Sequence, residues 1–158
     1  MACMKRLALL AACAAVLACS SGQKVKVIRP EIGLVQLVGP ADLNYPTGDI
    51  EVQYAMRIAN RSSEAITLRR IELSPVGGGG PYTLRRESYY FTREVGPDQF
   101  LDLAFWAKAY AEGNRMAGDA TAPVTIRATA FFDSPSGAFR EVFLRTFQQY
   151  GSDHKGRN

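Results

Sequence analysis

Residues 50–59 carry the pattern that most constrains how this chain can fold. Every even position is apolar and most odd positions are polar, which is the period of two that a half-buried β-strand requires, because successive side chains point to opposite faces of a sheet. The turn cluster NRSSE follows at residues 60–64. The stretch therefore predicts a strand with one face in a core, and that face consists of Ile50, Val52, Tyr54, Met56 and Ile58.

Similar strand signals recur between turn residues along the rest of the chain. Residues 107–113 are also compatible with a helical turn that Gly113 would end. We predict a single antiparallel β-sandwich of immunoglobulin-like type over residues 31–150. It has about seven strands, since the shorter segments are only candidates. The further strand segments are residues 32–38, 65–73, 82–84, 88–95, 100–108, 123–132 and 138–148.

Three local features refine this prediction. In residues 65–73 the aliphatic positions change parity next to Arg69 and Arg70, and a β-bulge there would return both halves of the strand to the same face. Trp106 is expected in the centre of the core, because a large aromatic side chain buries about 150–250 Å². The four glycines at residues 77–80 predict a loop, and they lack the Gly-Lys-Ser/Thr ending of a phosphate-binding loop.

The N-terminal residues have the features of an export signal. Lys5 and Arg6 precede an apolar run at residues 7–18. This run of twelve residues is too short for a transmembrane helix, which needs about 20, and it falls within the roughly 7–15 residues of the apolar region of a secretory signal. We therefore predict that residues 1–18 form a signal peptide that is removed from the working protein.

The sequence VLAC at residues 16–19 resembles a lipobox, the site at which bacterial lipoproteins are cleaved and lipidated. Its small and branched residues match that pattern, and Leu17 departs from it. The resemblance implies cleavage before Cys19 and attachment of a diacylglycerol to its sulfur. An ordinary cleaved signal followed by an incidental cysteine is the alternative. LAAC at residues 10–13 also matches, but it would leave an apolar region of only six residues.

The modified cysteine also implies a location. Several acyl chains on Cys19 would anchor the protein stably, since each buried CH₂ contributes about 0.8 kcal/mol. Ser20, and not Asp, follows the cysteine, and the resemblance to enterobacterial lipoproteins then implies sorting to the outer membrane. Residues 19–30 would be the lipidated cysteine and a tether. We expect the protein at the periplasmic face of the outer membrane, attached to the membrane through its lipid.

Removal of residues 1–18 limits the chemistry that the chain can support. It leaves 17 basic against 15 acidic residues, so neither charge nor location indicates a nucleic-acid partner. With Cys19 acylated, no thiol remains for a disulfide, a nucleophile or a metal ligand. The only histidine, His154, lies in the polar residues 151–158, a predicted disordered tail. Histidine-based triads and zinc sites lack their usual parts, and no cofactor is predicted.

The segments YAMRIANRS at residues 54–62 and AITLRRIEL at residues 65–73 resemble a hairpin of late-embryogenesis-abundant type-2 domains and related bacterial sandwich lipoproteins. In those families a strand ends in Asn before a turn, and the next strand carries alternating aliphatic residues. The resemblance implies a sandwich fold, and it brings no active site to this chain.

Six side chains are candidate contacts for a ligand. Guanidinium groups bind carboxylates and phosphates bidentately, and aromatic rings can form a platform for a sugar or a peptide. Solvated arginines and core aromatics are the alternative interpretation. Neighbouring residues of a strand point to opposite faces, so neither arginine pair would form a patch by itself. The candidates are Arg69, Arg70, Arg85, Arg86, Tyr89 and Tyr90.

These observations favour a lipid-anchored cell-envelope protein that binds or scaffolds a protein partner and is not an enzyme. A glycan- or lipopolysaccharide-binding module that uses surface aromatic and arginine side chains is the first alternative. A hydrolase with a pair of carboxylates is the second, because the scattered acidic residues leave such a pair open. No motif of the sequence indicates the identity of the partner or the oligomeric state.

Overall fold

The computed structural model describes residues 29–39, 47–78, 80–111 and 122–149, which form two antiparallel sheets of four strands each. The first sheet has the order β1-β2-β6-β4, and the second sheet has the order β5-β3-β7-β8. The predicted all-β sandwich is confirmed, with eight strands because the short candidate segments also pair. The strands are β1 (Glu31–Val38), β2 (Gly48–Ala59), β3 (Ile66–Pro75), β4 (Tyr82–Leu84), β5 (Glu87–Val95), β6 (Phe100–Ala111), β7 (Val124–Ser134) and β8 (Gly137–Phe147).

The segments that carry the export predictions lie outside this description. They are the predicted signal peptide at residues 1–18, the lipidated Cys19 and the tail at residues 151–158. The described residues begin at Arg29, and β1 begins at Glu31. Among the described residues, no helix is long and apolar enough to cross a membrane.

The chain crosses from one sheet to the other at five of its seven connections. Only β1–β2 and β7–β8 are neighbours both in sequence and in a sheet. The central pairs are β2–β6 in the first sheet and β3–β7 in the second, which is the arrangement of the central strands in immunoglobulin-like sandwiches. The edges of the sandwich are therefore β1 and β4 on one sheet and β5 and β8 on the other.

The inward-facing residues of both sheets form one hydrophobic core. In β2 the buried residues are the five apolar even positions that the alternation predicts. Small residues of β6 stand beside larger ones of its neighbours, since Ala109 pairs with Ile50 and Ala111 pairs with Tyr82. Burial of this apolar surface is the main stabilising contribution to the fold, at about 25 cal/mol per Å².

The predicted bulge in β3 is present between Leu68 and Arg70, where the register with both neighbouring strands shifts. Leu68 and Ile71 are both fully buried, so the two arginines between them lie on the outer side of the sheet. The expectation that Arg69 and Arg70 point to opposite faces is therefore wrong. The bulge inserts one residue into the alternation and turns both side chains outward.

β6 runs as a strand to Ala111, so residues 107–111 do not form the helical turn that their composition also allows. Its odd positions face the other sheet, and its even positions face solvent. Phe105 is buried, and the next residue, Trp106, lies on the outer face with 44% of its surface exposed. The predicted core position of Trp106 is wrong, because the apolar odd positions before Phe105 fix which side of β6 faces inward.

Asn60 follows β2 and is fully buried in spite of its polar side chain. Its Nδ2 donates to the backbone carbonyls of Glu64 at 2.7 Å, Val95 at 3.0 Å and Gly96 at 3.1 Å. Its Oδ1 accepts from the backbone N–H of Ser62 at 3.0 Å and from the hydroxyl of that residue at 2.7 Å. This group of residues, the Asn60 corner, ties the turn between β2 and β3 to the end of β5.

A second polar cluster lies within the core between β1, β2 and β4. The hydroxyl oxygens of Tyr54 and Tyr82 are 2.8 Å apart, and Tyr82 donates to Gln36 Oε1 at 2.6 Å. Gln36 and Gln149 then exchange two side-chain hydrogen bonds of 3.2 and 3.1 Å. Burial raises the pKa of Tyr82 to about 12 and also raises the pKa of Tyr54, so both hydroxyls stay protonated and act as donors.

Candidate functional site

The outer face of the first sheet carries most of the large apolar side chains that the described residues expose. We call this surface the Trp106 face and define it as the outward residues of β1, β2 and β6. Scattered exposed apolar residues are normal on a protein surface, whereas a group of them on one face marks an interaction site. Five of the eight exposed large hydrophobic residues lie on this face, namely Val35, Leu37, Phe100, Trp106 and Tyr110.

A shallow hollow lies near the centre of the Trp106 face. In the register of the sheet, Val35 of β1, Ala55 of β2 and Ala104 of β6 stand side by side. The small alanine side chains leave a depression of about 600 Å³. Because small residues are here surrounded by larger ones, the hollow can receive an apolar side chain of a partner.

An ion pair borders this hollow. Arg57 donates to the two carboxylate oxygens of Asp102 at 2.7 Å each. The guanidinium carbon also lies 5.2 Å from the centre of the Phe100 ring. The hydrogen bonds between the two groups lower the pKa of Asp102 and raise the pKa of Arg57. Since both side chains are exposed, the pair adds little to stability, and it leaves two charges in place for a partner.

A second depression, of about 510 Å³, lies against Trp106. Its rim contains Asp49 and Glu51 from β2, Lys108 from β6 and the residue that follows β4, Arg85. Arg85 forms an ion pair with Asp49. Charges of both signs therefore surround an exposed indole ring. An apolar centre with a polar rim is the arrangement that protein–protein interfaces have.

The six predicted binding residues are divided between different parts of the molecule. Arg85 borders the Trp106 depression, and Arg86 is exposed next to it in the chain. Tyr89 is half-buried, and its hydroxyl donates to Glu87 at 3.0 Å and accepts from the Lys108 backbone N–H at 3.3 Å. Burial raises the pKa of Tyr89 to about 12. Tyr89 therefore joins the two sheets at their edge and does not form a platform on the surface.

Arg69, Arg70 and Tyr90 lie together on the outer face of the second sheet, which we call the Tyr90 face. Arg70 pairs with Tyr90 in the ladder between β3 and β5, and its guanidinium carbon lies 4.0 Å from the centre of the Phe131 ring. Tyr90 is 75% exposed, and each arginine has a carboxylate partner within 3.0 Å. A guanidinium group beside two aromatic rings can bind a sugar ring or an anion.

Sequence reasoning names Phe100, Trp106 and Tyr110 among aromatic residues that could form a platform, but it does not place them with Val35 and Leu37 on one face. Residues 32–38 are apolar nearly throughout, so they do not show on which side Val35 and Leu37 lie. In β6 the signal was present, because the even positions include the charged residue Asp102. Trp106 has the same parity as Asp102, and parity outweighs the apolar character of the side chain.

No protein-family model and no curated protein matches this sequence. Solved structures do match it. The crystal structure of a protein from Archaeoglobus fulgidus aligns with a TM-score of 0.50 and 11% identity, over 78% of this chain and 98% of that chain. The crystal structure of a FixG-related protein from Vibrio parahaemolyticus aligns with a TM-score of 0.42 and 12% identity, over 78% of this chain and 98% of that chain. At 11% identity the likeness to the Archaeoglobus fulgidus protein concerns the fold alone.

Proposed function

We propose that this protein is a lipid-anchored component of the bacterial cell envelope that binds a protein partner through the Trp106 face and catalyses no reaction. Aromatic residues are enriched at the centres of protein interfaces and contribute much of their binding energy. An aromatic side chain that stays in water does not contribute the free energy that its burial in the core would contribute. The observation that carries the proposal is the exposure of Val35, Leu37, Phe100, Trp106 and Tyr110 on one sheet face.

The shape of the Trp106 face favours a protein over a small molecule. Its two depressions are open hollows in a sheet surface, whereas small-molecule sites enclose most of the ligand in a concave pocket. In the ladder between β2 and β6, the ion pair Arg57–Asp102 lies between Phe100 and Ala104. Charged and apolar side chains therefore alternate on this face. An open surface on which apolar and charged side chains alternate is suited to another protein surface.

Asp49 and Glu51 are two carboxylates on the Trp106 depression, and Arg85 and Lys108 lie on the same rim. The described residues contain no group of three or more His, Cys, Asp or Glu side chains that could hold a metal ion. The histidine and the three cysteines of the chain all lie outside them. The proposal is therefore binding without turnover.

The lipid anchor completes the proposal. Even fully extended, residues 19–30 span about 40 Å at roughly 3.3–3.6 Å per residue. The sandwich would stay near the membrane, and Ser20 favours the outer membrane over the inner one. The Trp106 face would then meet another protein of the envelope.

The test is chemical cross-linking in intact cells, followed by purification of the Cys19-anchored protein and identification of what co-purifies. We expect one stoichiometric protein partner, and we expect Trp106→Thr to reduce its recovery about ten-fold or more, as for a central interface aromatic. Tyr90→Thr is the matched control, since it removes an exposed aromatic residue from the other sheet. Equal recovery of the partner with both variants would contradict the Trp106 face as the binding site. A Cys19→Ser form with an ordinary signal tests whether the partner requires the anchor.

The alternative is a glycan- or lipopolysaccharide-binding module on the Tyr90 face. The observation that favours it is a row across the second sheet in which Tyr90, Arg70, Phe131 and Arg140 are successive cross-strand partners. Aromatic rings and guanidinium groups alternate in this row, and both can bind sugars that carry phosphate or carboxylate groups. Titration of the protein with lipopolysaccharide at moderate salt is the test. If the protein binds lipopolysaccharide saturably, and Tyr90→Thr abolishes this binding while Trp106→Thr does not, the Tyr90 face is the binding site.

A further inference from the structure

The four edge strands differ in how well they are protected against pairing with another strand. Native sheets protect an edge by making it short or by placing charge or proline on it. β4 has only three residues, and β5 and β8 carry three charged residues each. Residues 32–38 of β1, with the sequence IGLVQLV, contain no charge and no proline. β1 also has a charged residue, Glu31, at its start and a bulge between Gln36 and Val38, and it is the long edge strand with the fewest charged residues.

The backbone of β1 presents hydrogen-bonding groups to this free edge. Arg145 of β8 donates to the Ile32 carbonyl at 2.9 Å, so that carbonyl faces away from β2. Backbone groups point to alternate sides along a strand, and the N–H and C=O groups of Leu34 and Gln36 therefore face the same way. β1 pairs with β2 without a register shift from Glu31 to Gln36, so the edge is regular over six residues.

A groove of about 520 Å³ runs along the edge. Its walls are formed by residues 34–37 of β1 and by residues 145–149 at the end of β8. Arg145 is half-buried in this wall, and its Nη1 donates to the Leu144 carbonyl at 3.0 Å. Arg145 forms no ion pair with any carboxylate of the described part of the chain. A guanidinium group in this position favours an anionic occupant of the groove.

We propose that the edge of β1 is a strand-addition site, at which an extended segment of the partner protein pairs with the backbone of Leu34 and Gln36 and places a carboxylate against Arg145. This inference rests on the proposed function and specifies the chemistry of the partner. Val35 and Leu37 connect the two surfaces, because their side chains lie on the Trp106 face while their strand forms the edge. Main-chain hydrogen bonds would supply affinity, and side chains at alternate positions would supply specificity.

A second copy of the chain fits this edge less well than an acidic segment does. Two β1 strands can pair edge to edge, but residues 32–38 bring no carboxylate to Arg145. The only acidic residue of β1 is Glu31, at the start of the strand, and it lies 3.6 Å from Arg61. The charge in the groove therefore selects a partner with Asp or Glu in an extended segment.

The test uses the full-length protein, the partner recovered by cross-linking and two pairs of matched variants. Arg145→Gln removes the cation from the groove, and Arg93→Gln removes an exposed cation from the edge strand β5, outside the groove. Val35→Lys places a charge on β1 where its edge meets the Trp106 face, and Val142→Lys places one on β8 at a site of equal exposure, 53% against 54%. We expect Arg145→Gln and Val35→Lys to reduce partner recovery about ten-fold. The two controls should change it by less than about two-fold.

Amide hydrogen exchange supplies a readout that contact through the sheet face would not change. In the free protein, the amides of Leu34 and Gln36 should exchange quickly, whereas the amide of Val35, which pairs with β2, should exchange slowly. In the complex, strand addition predicts slow exchange at Leu34 and Gln36 and no change at Val35. Equal unfolding temperatures of Val35→Lys and Val142→Lys would exclude loss of folding as the cause of lost binding.

Three results would overturn the proposal in different ways. Loss of the partner with Trp106→Thr and Val35→Lys but not with Arg145→Gln, and continued fast exchange at Leu34 and Gln36, would remove strand addition and leave the proposed function in place. Recovery of no partner by the unaltered protein would remove both. A cross-linked product of two copies of the chain, with slow exchange of the same two amides, would show that the occupant is a second copy.

Discussion

The Asn60 corner and the Trp106 face reverse the usual distribution of polar and apolar residues. Asn60 is 0% exposed, and Trp106 is 44% exposed. The Asn60 side chain makes five hydrogen bonds that join two turns, whereas no hydrogen bond joins the Trp106 side chain to another described residue. The Asn60 corner contributes to folding, and the Trp106 face leaves apolar side chains exposed for a partner.

The difference between the two regions separates stability from binding. A buried polar group is compatible with a stable core when every polar atom has a partner, and it then becomes costly to remove. An exposed indole ring contributes less to the core, so its removal should cost little in stability. Mutations in the Asn60 corner should therefore lower the stability of the fold, and mutations on the Trp106 face should mainly weaken binding of the partner.

Asn60→Ala is expected to have the largest effect on stability. It leaves the carbonyls of Glu64, Val95 and Gly96 and the N–H of Ser62 without their present partner, and each such buried group costs about 1–3 kcal/mol. Some of these groups will regain water, so we expect the free energy of unfolding to fall by about 3–4 kcal/mol. The unfolding temperature should fall by about 10 °C or more. Urea unfolding monitored by the fluorescence of the single tryptophan measures the change.

Arg61→Ala is the control for this variant. Arg61 follows Asn60 directly, its side chain is exposed, and its ion pair of 3.6 Å with Glu31 contributes at most about 1 kcal/mol. If Asn60→Ala lowers the free energy of unfolding by no more than Arg61→Ala does, the Asn60 corner is dispensable and the contrast with the Trp106 face disappears.

Tyr82→Phe should have the next largest effect. The Tyr54 hydroxyl then loses its acceptor at 2.8 Å, and Gln36 loses a donor at 2.6 Å, both within the core. We expect the free energy of unfolding to fall by about 1–2 kcal/mol in urea unfolding experiments. Tyr110→Phe removes a hydroxyl from the exposed Trp106 face and should change it by less than about 0.5 kcal/mol. Equal effects of the two substitutions would contradict a stabilising role for the buried hydroxyls.

Alkaline pH should weaken the fold through the same cluster. Burial raises the pKa of Tyr82 to about 12 in the folded protein, against about 10 in the unfolded chain. Because the folded value is the higher one, the contribution is fully present below about pH 10 and is lost as the pH rises from about 10 to about 12. The loss of unfolding free energy between about pH 8 and 11 should be roughly 1 kcal/mol smaller for Tyr82→Phe than for the unaltered protein. An identical loss would show that Tyr82 titrates alike in the folded and unfolded chains.

Much of the fold was predictable from sequence because strand signals are local. The alternation in residues 50–59 lies within one strand, and it identifies the buried face of β2 without any knowledge of its neighbours. The bulge next to Arg69 and Arg70 was also predictable, since the parity of the aliphatic residues changes within one segment. The period of the apolar residues and their parity can be read from one segment of the chain without its neighbours.

The candidate site was less predictable because it depends on pairings between distant segments. Val35, Ala55 and Ala104 come from three strands, and only their register places them side by side. The burial of Asn60 requires the carbonyl of Gly96, which lies 36 residues further along the chain. Single-sequence patterns contain no register between strands, and they therefore cannot assemble a surface from several of them.

Trp106→Thr should have a smaller effect on stability than Asn60→Ala or Tyr82→Phe. Nearly half of the indole is already exposed, and threonine retains a high preference for strands, so we expect a loss of less than about 1 kcal/mol. Urea unfolding followed by circular dichroism measures this loss, because the variant has no tryptophan to report fluorescence. A loss above about 2 kcal/mol would show that the ring is a structural part of the sheet, and its exposure would then no longer indicate a partner. A small loss of stability together with loss of the cross-linked partner would mean that the fold tolerates the exposed ring, and that the ring stabilises the complex.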